Sequence, residues 1–162
     1  MNKLLIFLVF FLVTPANAGW NGKWDSKGSD ALIGLSSNPN TPDAAKNAFL
    51  IVGYSKNFNC SPVISVLIIE GQSIGNPVDQ KTSKSNKNQL MVIVNNQTFS
   101  SQTKMTKYSN GIELAMMGND SLIKALSNPN SSISAKIGNT TLLDFSSATN
   151  FVNANIHAKA NC

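Results

Sequence analysis

Two cysteines constrain this chain more than any other pair of residues. Cys60 and Cys162 are its only thiols, and the second closes the sequence. They pair with one another only in an oxidising space, so the compartment has to be read first. The stretch MNKLLIFLVFFLVTPANA supplies it. Lys3 gives a short positive region, Leu4–Val13 an unbroken apolar run, and Ala16-Asn17-Ala18 the small-x-small pattern that a signal peptidase accepts. The ten residues of that run are too few for a bilayer that needs about 20, and a polar, Asn-rich chain follows. The expectation is a signal peptide over 1–18 and a single β-rich domain over 19–162, periplasmic or secreted, with no membrane span after cleavage.

In such a space a lone pair of cysteines joins to itself. A Cys60–Cys162 bond closes a span of 102 residues, for which chain entropy alone gives about 4.7 kcal/mol. Redox and metal roles have no support, because there is no CxxC and a single histidine, His157. The bond therefore ties the C-terminal segment back onto a central strand.

The pattern along the chain is mostly β. ALIGLS and NAFLIVGYS (47–55) read as strands, separated by the turn cluster SNPNTPD. SPVISVLIIE (61–70) is the strongest strand, and its β-branched run suits a central, buried position. PVDQKT reads as a short edge strand, QLMVIVNNQTFS as a strand bending at Asn95-Asn96, and KMTKYSN and GIELAMM as two more around a Ser109-Asn110-Gly111 turn. GNDSLIKALSNPN changes period. It reads as a short helix capped by Asn119 or Asp120, with Leu122, Ile123 and Leu126 on one face and Asn128-Pro129 as its stop. SSISAKI and TTLLDF alternate again about Gly138-Asn139. From Ser146 or Ser147 a second helix is expected, with Ala148, Phe151, Val152 and Ile156 at helical spacing. The fold class is mainly β: sandwich-like antiparallel sheets, a short helix, and a C-terminal helix tied down by the disulfide.

Catalytic patterns are sparse. GQSIG (71–75) has the form GxSxG, but a single histidine is there to serve any serine, no HExxH or phosphate-cradling glycine loop occurs, and His157 reads as structural. The acids Asp25, Asp30, Glu70, Glu113 and Asp144 are scattered, with nothing to bring two of them together for glycosidase-type work. No cofactor or metal is implied, and the chain reads as a non-enzyme. The N-x-S/T triplets beginning at Asn96, Asn119, Asn130 and Asn139 read as turn chemistry in a chain this rich in Asn and Ser.

Charge narrows the partners. Thirteen basic residues face eight acids, for +5, and all thirteen are lysine. Without arginine, the usual bidentate reader of base edges and phosphate, specific nucleic-acid recognition is not expected. Two candidate binding surfaces remain. Lys81, Lys84 and Lys87 lie in one polar stretch that reads as a solvated hairpin loop or as a contact for an anionic partner. Trp20 and Trp24 read as anchors of the N-terminal segment on the core, or as an aromatic platform.

The last third resembles a family. A strand, then GNDSLIKAL, SSISAKI and TTLLDFSSATNFVNANIHAKANC, is similar to the C-terminal half of periplasmic proteins of the invasion-associated locus B type, and to type VI secretion-associated accessory proteins. In those proteins a turn of FDL-x-G pattern opens a final helix that ends in a cysteine paired with one on an earlier strand; Asp144-Phe145 stands at that turn here. The resemblance implies a disulfide-tied, sandwich-like periplasmic domain with an accessory or host-contact role and no catalytic residues. The functional expectation is thus an exported bacterial binding or accessory protein that contacts another protein or an anionic envelope component, with self-pairing through an open sheet edge as a route to a homodimer. Two alternatives stand beside it: an inhibitor or immunity protein of a secreted enzyme, and a small carboxylate-dependent envelope hydrolase.

Overall fold

The computed structural model describes residues 23–36, 46–71, 74–83 and 89–162. Its strands are β1 (Asp25–Lys27), β2 (Asp30–Ser36), β3 (Lys46–Tyr54), β4 (Pro62–Glu70), β5 (Pro77–Ser83), β6 (Leu90–Val94), β7 (Gln97–Ser100), β8 (Thr103–Tyr108), β9 (Gly111–Met117), β10 (Ser131–Ile137) and β11 (Thr140–Ala148). Helix α1 spans Asp120–Leu126 and α2 spans Phe151–Ala160. Seven strands form one antiparallel sheet in the order β1-β2-β3-β4-β9-β8-β5, and four form a second in the order β11-β10-β6-β7. The mainly-β, two-sheet architecture with two helices agrees with the reading of the sequence.

Strand β4 sits at the middle of the larger sheet, and its near-continuous apolar sequence follows from burial on both faces. Ile64 and Val66 are wholly buried on one side, and Leu67 and Ile69 are buried on the other. Strand β5 takes the edge, where its polar side chains and Pro77 suit a row of unpaired backbone groups.

The main core lies between the two sheets. Register places Ile33, Leu50, Val66 and Leu114 across the inner face of the larger sheet. Leu90, Val92 and Val94 of β6 meet them from the smaller one, with Ile133, Ala135, Leu143 and Phe145 beside them. The Asn119 side chain caps α1 by accepting the Leu122 N–H at 2.8 Å, and Leu122 and Leu126 enter the same core. Helix α2 lies against β1, β2 and β3 on this inner side.

Trp24 is the keystone at that end. It is fully buried with its ring edge-on to Phe151, centroids 4.8 Å apart. Its backbone N–H donates to the Thr149 carbonyl at 2.9 Å, and the Asn150 amide donates to its carbonyl at 3.0 Å. Cys60 and Cys162 form the expected disulfide, which joins the second residue after α2 to the turn before β4. That turn is tight: Asn59 and Cys60 both hold left-handed backbone, at φ 52° and 54°.

Three local expectations need correction. QLMVIVNNQTFS is a hairpin, not one bent strand: Asn95 and Asn96 take φ 47° and 69°, the pair of positive values a two-residue type I′ turn requires. The final helix starts at Phe151, because β11 runs on to Ala148, paired with Ser131, and Asn150 at φ 66° breaks the strand. Its buried face is therefore Phe151, Ala154 and Ala158, while Val152 and Ile156 stand exposed. Two alanines bring the helix backbone close to the sheet, a geometry that larger residues at those positions would forbid.

Candidate functional site

The larger sheet has a second apolar face, turned away from the smaller sheet. Alternation along the strands directs Leu32, Ile51, Leu67, Ile69 and Tyr108 outward, where they form a cluster separate from the main core. Phe49 and Ile74 pack against its border. Both helices and every strand of the smaller sheet contribute to the inner core instead. All five side chains of the cluster are buried, from 1 % to 9 % exposed, so the cluster is a second core and not an open surface. Its lower end continues through Gly53 and Val63 to Met117, whose side chain is exposed.

Two glycines shape this face. A Cβ on Gly53 would stand 2.7 Å from Asp30 Oδ1, and one on Gly34 would stand 2.7 Å from the Phe49 ring. The Asp30 carboxyl and the Phe49 ring can therefore fold flat over neighbouring strands, which a side chain at either position would prevent. Asp30 is held half-buried by this arrangement. Burial, and after it the negative charge of Glu113, push its carboxyl up to about 6.

Glu113 lies on β9, with β3 and β4 between it and Asp30. Tyr108 donates its hydroxyl to Glu113 Oε2 at 2.9 Å. Burial and the Glu113 charge together raise the phenol far above its ordinary range, so it remains a donor at any physiological pH. The result is an apolar face bordered by one carboxylate fixed by a tyrosine and one carboxyl that titrates close to neutrality. Chemically the two acids can hold a cation or exchange a proton.

The residues singled out in the sequence fall elsewhere. Lys81 lies on edge strand β5 with its side chain in solvent, 3.2 Å from Asp79. Lys84, Lys87 and Trp20 lie outside the described residues. Trp24 is fully buried, so it belongs to the core and is no part of a binding surface. His157 is exposed near the end of α2. Of the five acids considered, Asp25, Glu70 and Asp144 are exposed and dispersed, while Asp30 and Glu113 act on one another. No group of three or more His, Cys, Asp or Glu side chains suited to a metal occurs among the described residues, and no described helix is long and apolar enough to cross a membrane.

Neither the outer face nor the Asp30–Glu113 relation was visible in the sequence. Both depend on which strands are neighbours, and alternation alone does not say which of two apolar faces will be covered. No protein-family model matches the chain, and neither a curated protein nor a solved structure does.

Proposed function

We propose that the chain is an exported bacterial binding module that acts by surface contact with a partner protein and carries no cofactor. One observation supports this reading above the others: large apolar side chains stand in solvent at Met117, at the end of the outer face, and at Val152 and Ile156, one turn apart on α2. Exposed apolar side chains that lie together mark contact surfaces. The accessory role implied by the resemblance to the invasion-associated locus B type is compatible with it. The lysines of the 81–87 stretch are a secondary contact for an anionic surface.

The test compares the chain cleaved after Ala18 with a Met117→Lys variant. Met117 is exposed on this face, so its replacement leaves the core intact. Nile red should bind to the cleaved chain and bind more weakly to the variant. Equal binding by both, or none by either, would remove Met117 from the contact surface.

The carboxylate hydrolase is a second reading, favoured by the interaction of Asp30 with Glu113. It requires turnover of a glycoside or ester that Asp30→Asn and Glu113→Gln each abolish while binding persists.

A further inference from the structure

We infer that edge strand β5 pairs with β5 of a second copy of this chain, antiparallel about a twofold axis at Gln80, so that the larger sheet runs on from one protomer into its partner.

The edge is open. The larger sheet ends at β5, which has β8 as its one neighbour among the described strands. Residues 77–82 are all exposed, Val78 at 65 %. The Ser109 N–H donates to the Asn76 carbonyl at 2.9 Å, so Ser109 turns its backbone toward the β5 side. Backbone direction alternates along an antiparallel ladder. Lys107, Met105 and Thr103 therefore bond the residues opposite them, Asp79, Lys81 and Ser83. Gln80 and Thr82 turn their N–H and carbonyl groups away from β8, to the open side. A strand laid antiparallel along this side takes up those groups.

Charge selects the strand. Asp79 and Lys81 lie two residues apart, hence on one face of β5, and their side chains meet at 3.2 Å in solvent. With Gln80 opposite its own copy, Asp79 of one protomer stands opposite Lys81 of its partner, and the reverse, while Val78 stands opposite Thr82. Gln80 then exchanges both backbone bonds with its counterpart. The two Asp79–Lys81 pairs take the closer, non-hydrogen-bonded positions of the ladder, where cross-strand side chains interact most directly. Moving the axis by one residue sets Asp79 against Asp79 or Lys81 against Lys81, and like charges directly opposite are destabilising. The polar side chains and Pro77 that keep a chance strand off this edge thus leave one register open to a second copy.

The other edge strands lack this property. Asp144 is the sole charged residue of β11, and β7 carries none. Strand β1 has Asp25 and Lys27 but is three residues long, and the Asp25 carboxylate already accepts the Ser26 N–H at 2.8 Å. A ladder over 78–82 is short beside the about 20–30 residues a side of a standard interface, so association is weak and concentration-dependent.

The test is sedimentation velocity of the chain cleaved after Ala18, over about a hundredfold range of concentration. The average sedimentation coefficient should climb from that of a monomer toward that of a dimer. Asp79→Lys and Lys81→Asp should each weaken association about tenfold, because each sets like charges across the axis. An equimolar mixture of the two variants should regain it, since opposite charges then face one another again. With the native disulfide intact, a Gln80→Cys chain should cross-link to its own copy on oxidation. A Thr82→Cys chain should not, because that position lies about 13 Å from its counterpart. A monomer at every concentration, association that the charge variants leave unchanged, or cross-linking as ready through Thr82→Cys as through Gln80→Cys would overturn the inference. Met117, Val152 and Ile156 lie outside β5, so either result leaves the proposed function standing.

Discussion

Removing the Asp30 charge should make this protein more stable at neutral pH. Folding moves the Asp30 carboxyl from an ordinary 3.8 to about 6 by burying it and setting it against Glu113. At about 1.36 kcal/mol per decade, a rise of that size corresponds to about 3 kcal/mol. Solvent screening of a half-buried group reduces this to about 1–2 kcal/mol. The sign follows from proton binding. Between 3.8 and about 6 the folded chain holds a proton on Asp30 that the unfolded chain has released, so stability falls as pH rises through this window and is level above it. The folded state therefore carries its full electrostatic cost at neutral pH and none of it below the unfolded value. Asp30→Asn keeps the size of the side chain and deletes the charge. Thermal unfolding with the disulfide intact should place the variant about 3–6 °C above the parent near pH 7.5, and the two should coincide near pH 4, within about 1 °C. Other carboxylates titrate in both proteins and cancel in the difference. Equal stability near pH 7.5, or a difference that persists on acidification, would refute the placement of Asp30 in a low-dielectric site facing a second carboxylate.

Loss of the disulfide in a Cys60→Ser, Cys162→Ser chain should cost about 2–4 kcal/mol in urea unfolding, with hydrogen exchange rising first along α2, which the bond fastens to the turn before β4. The two sides of α2 should respond in opposite ways: Ile156→Ser, on the exposed side, should change stability by under about 0.5 kcal/mol. Ala154→Leu, on the buried side, should cost about 1–3 kcal/mol by overpacking against the sheet. Asn96→Gly should stabilise by about 0.5 kcal/mol, because φ 69° is strained for a residue with a Cβ and free for glycine; a loss measured by thermal unfolding would mean that the Asn96 side chain makes a contact the turn needs.

The parts of the fold that were legible in the sequence are those set by local pattern. SPVISVLIIE announces a strand buried on both faces, and it is the middle strand of the larger sheet. GNDSLIKAL announces a capped helix, and Asn119 caps it. The paired cysteines needed only compartment and count. What failed was phase near a boundary. The sequence SSATNFVNANIHAKA suits a helix from its first serine, yet β11 continues because Ser131 of β10 offers Ala148 a ladder partner, a tertiary gain that local propensity cannot register. The displaced start rotated the helix, so alanines face inward where Val152 and Ile156 were expected. Trp24 shows the complementary limit. As an isolated aromatic in a polar stretch it served equally as anchor or platform, and only its contact with Phe151, 127 positions away along the chain, settles it as core.

The site was illegible for a different reason. Asp30 and Glu113 are 83 residues apart in sequence and belong to strands that do not touch, so no spacing rule connects them. What bears on them is the strand order, together with a glycine at position 53 that lets the Asp30 carboxyl lie over β3. A sheet optimised only for stability would place alanine or valine at position 53 and a neutral residue at 30. This sheet instead keeps two carboxylates beside an apolar cluster that is itself buried. The charge on Asp30 lowers the stability of the isolated domain, and proteins keep such a cost where the group serves a function.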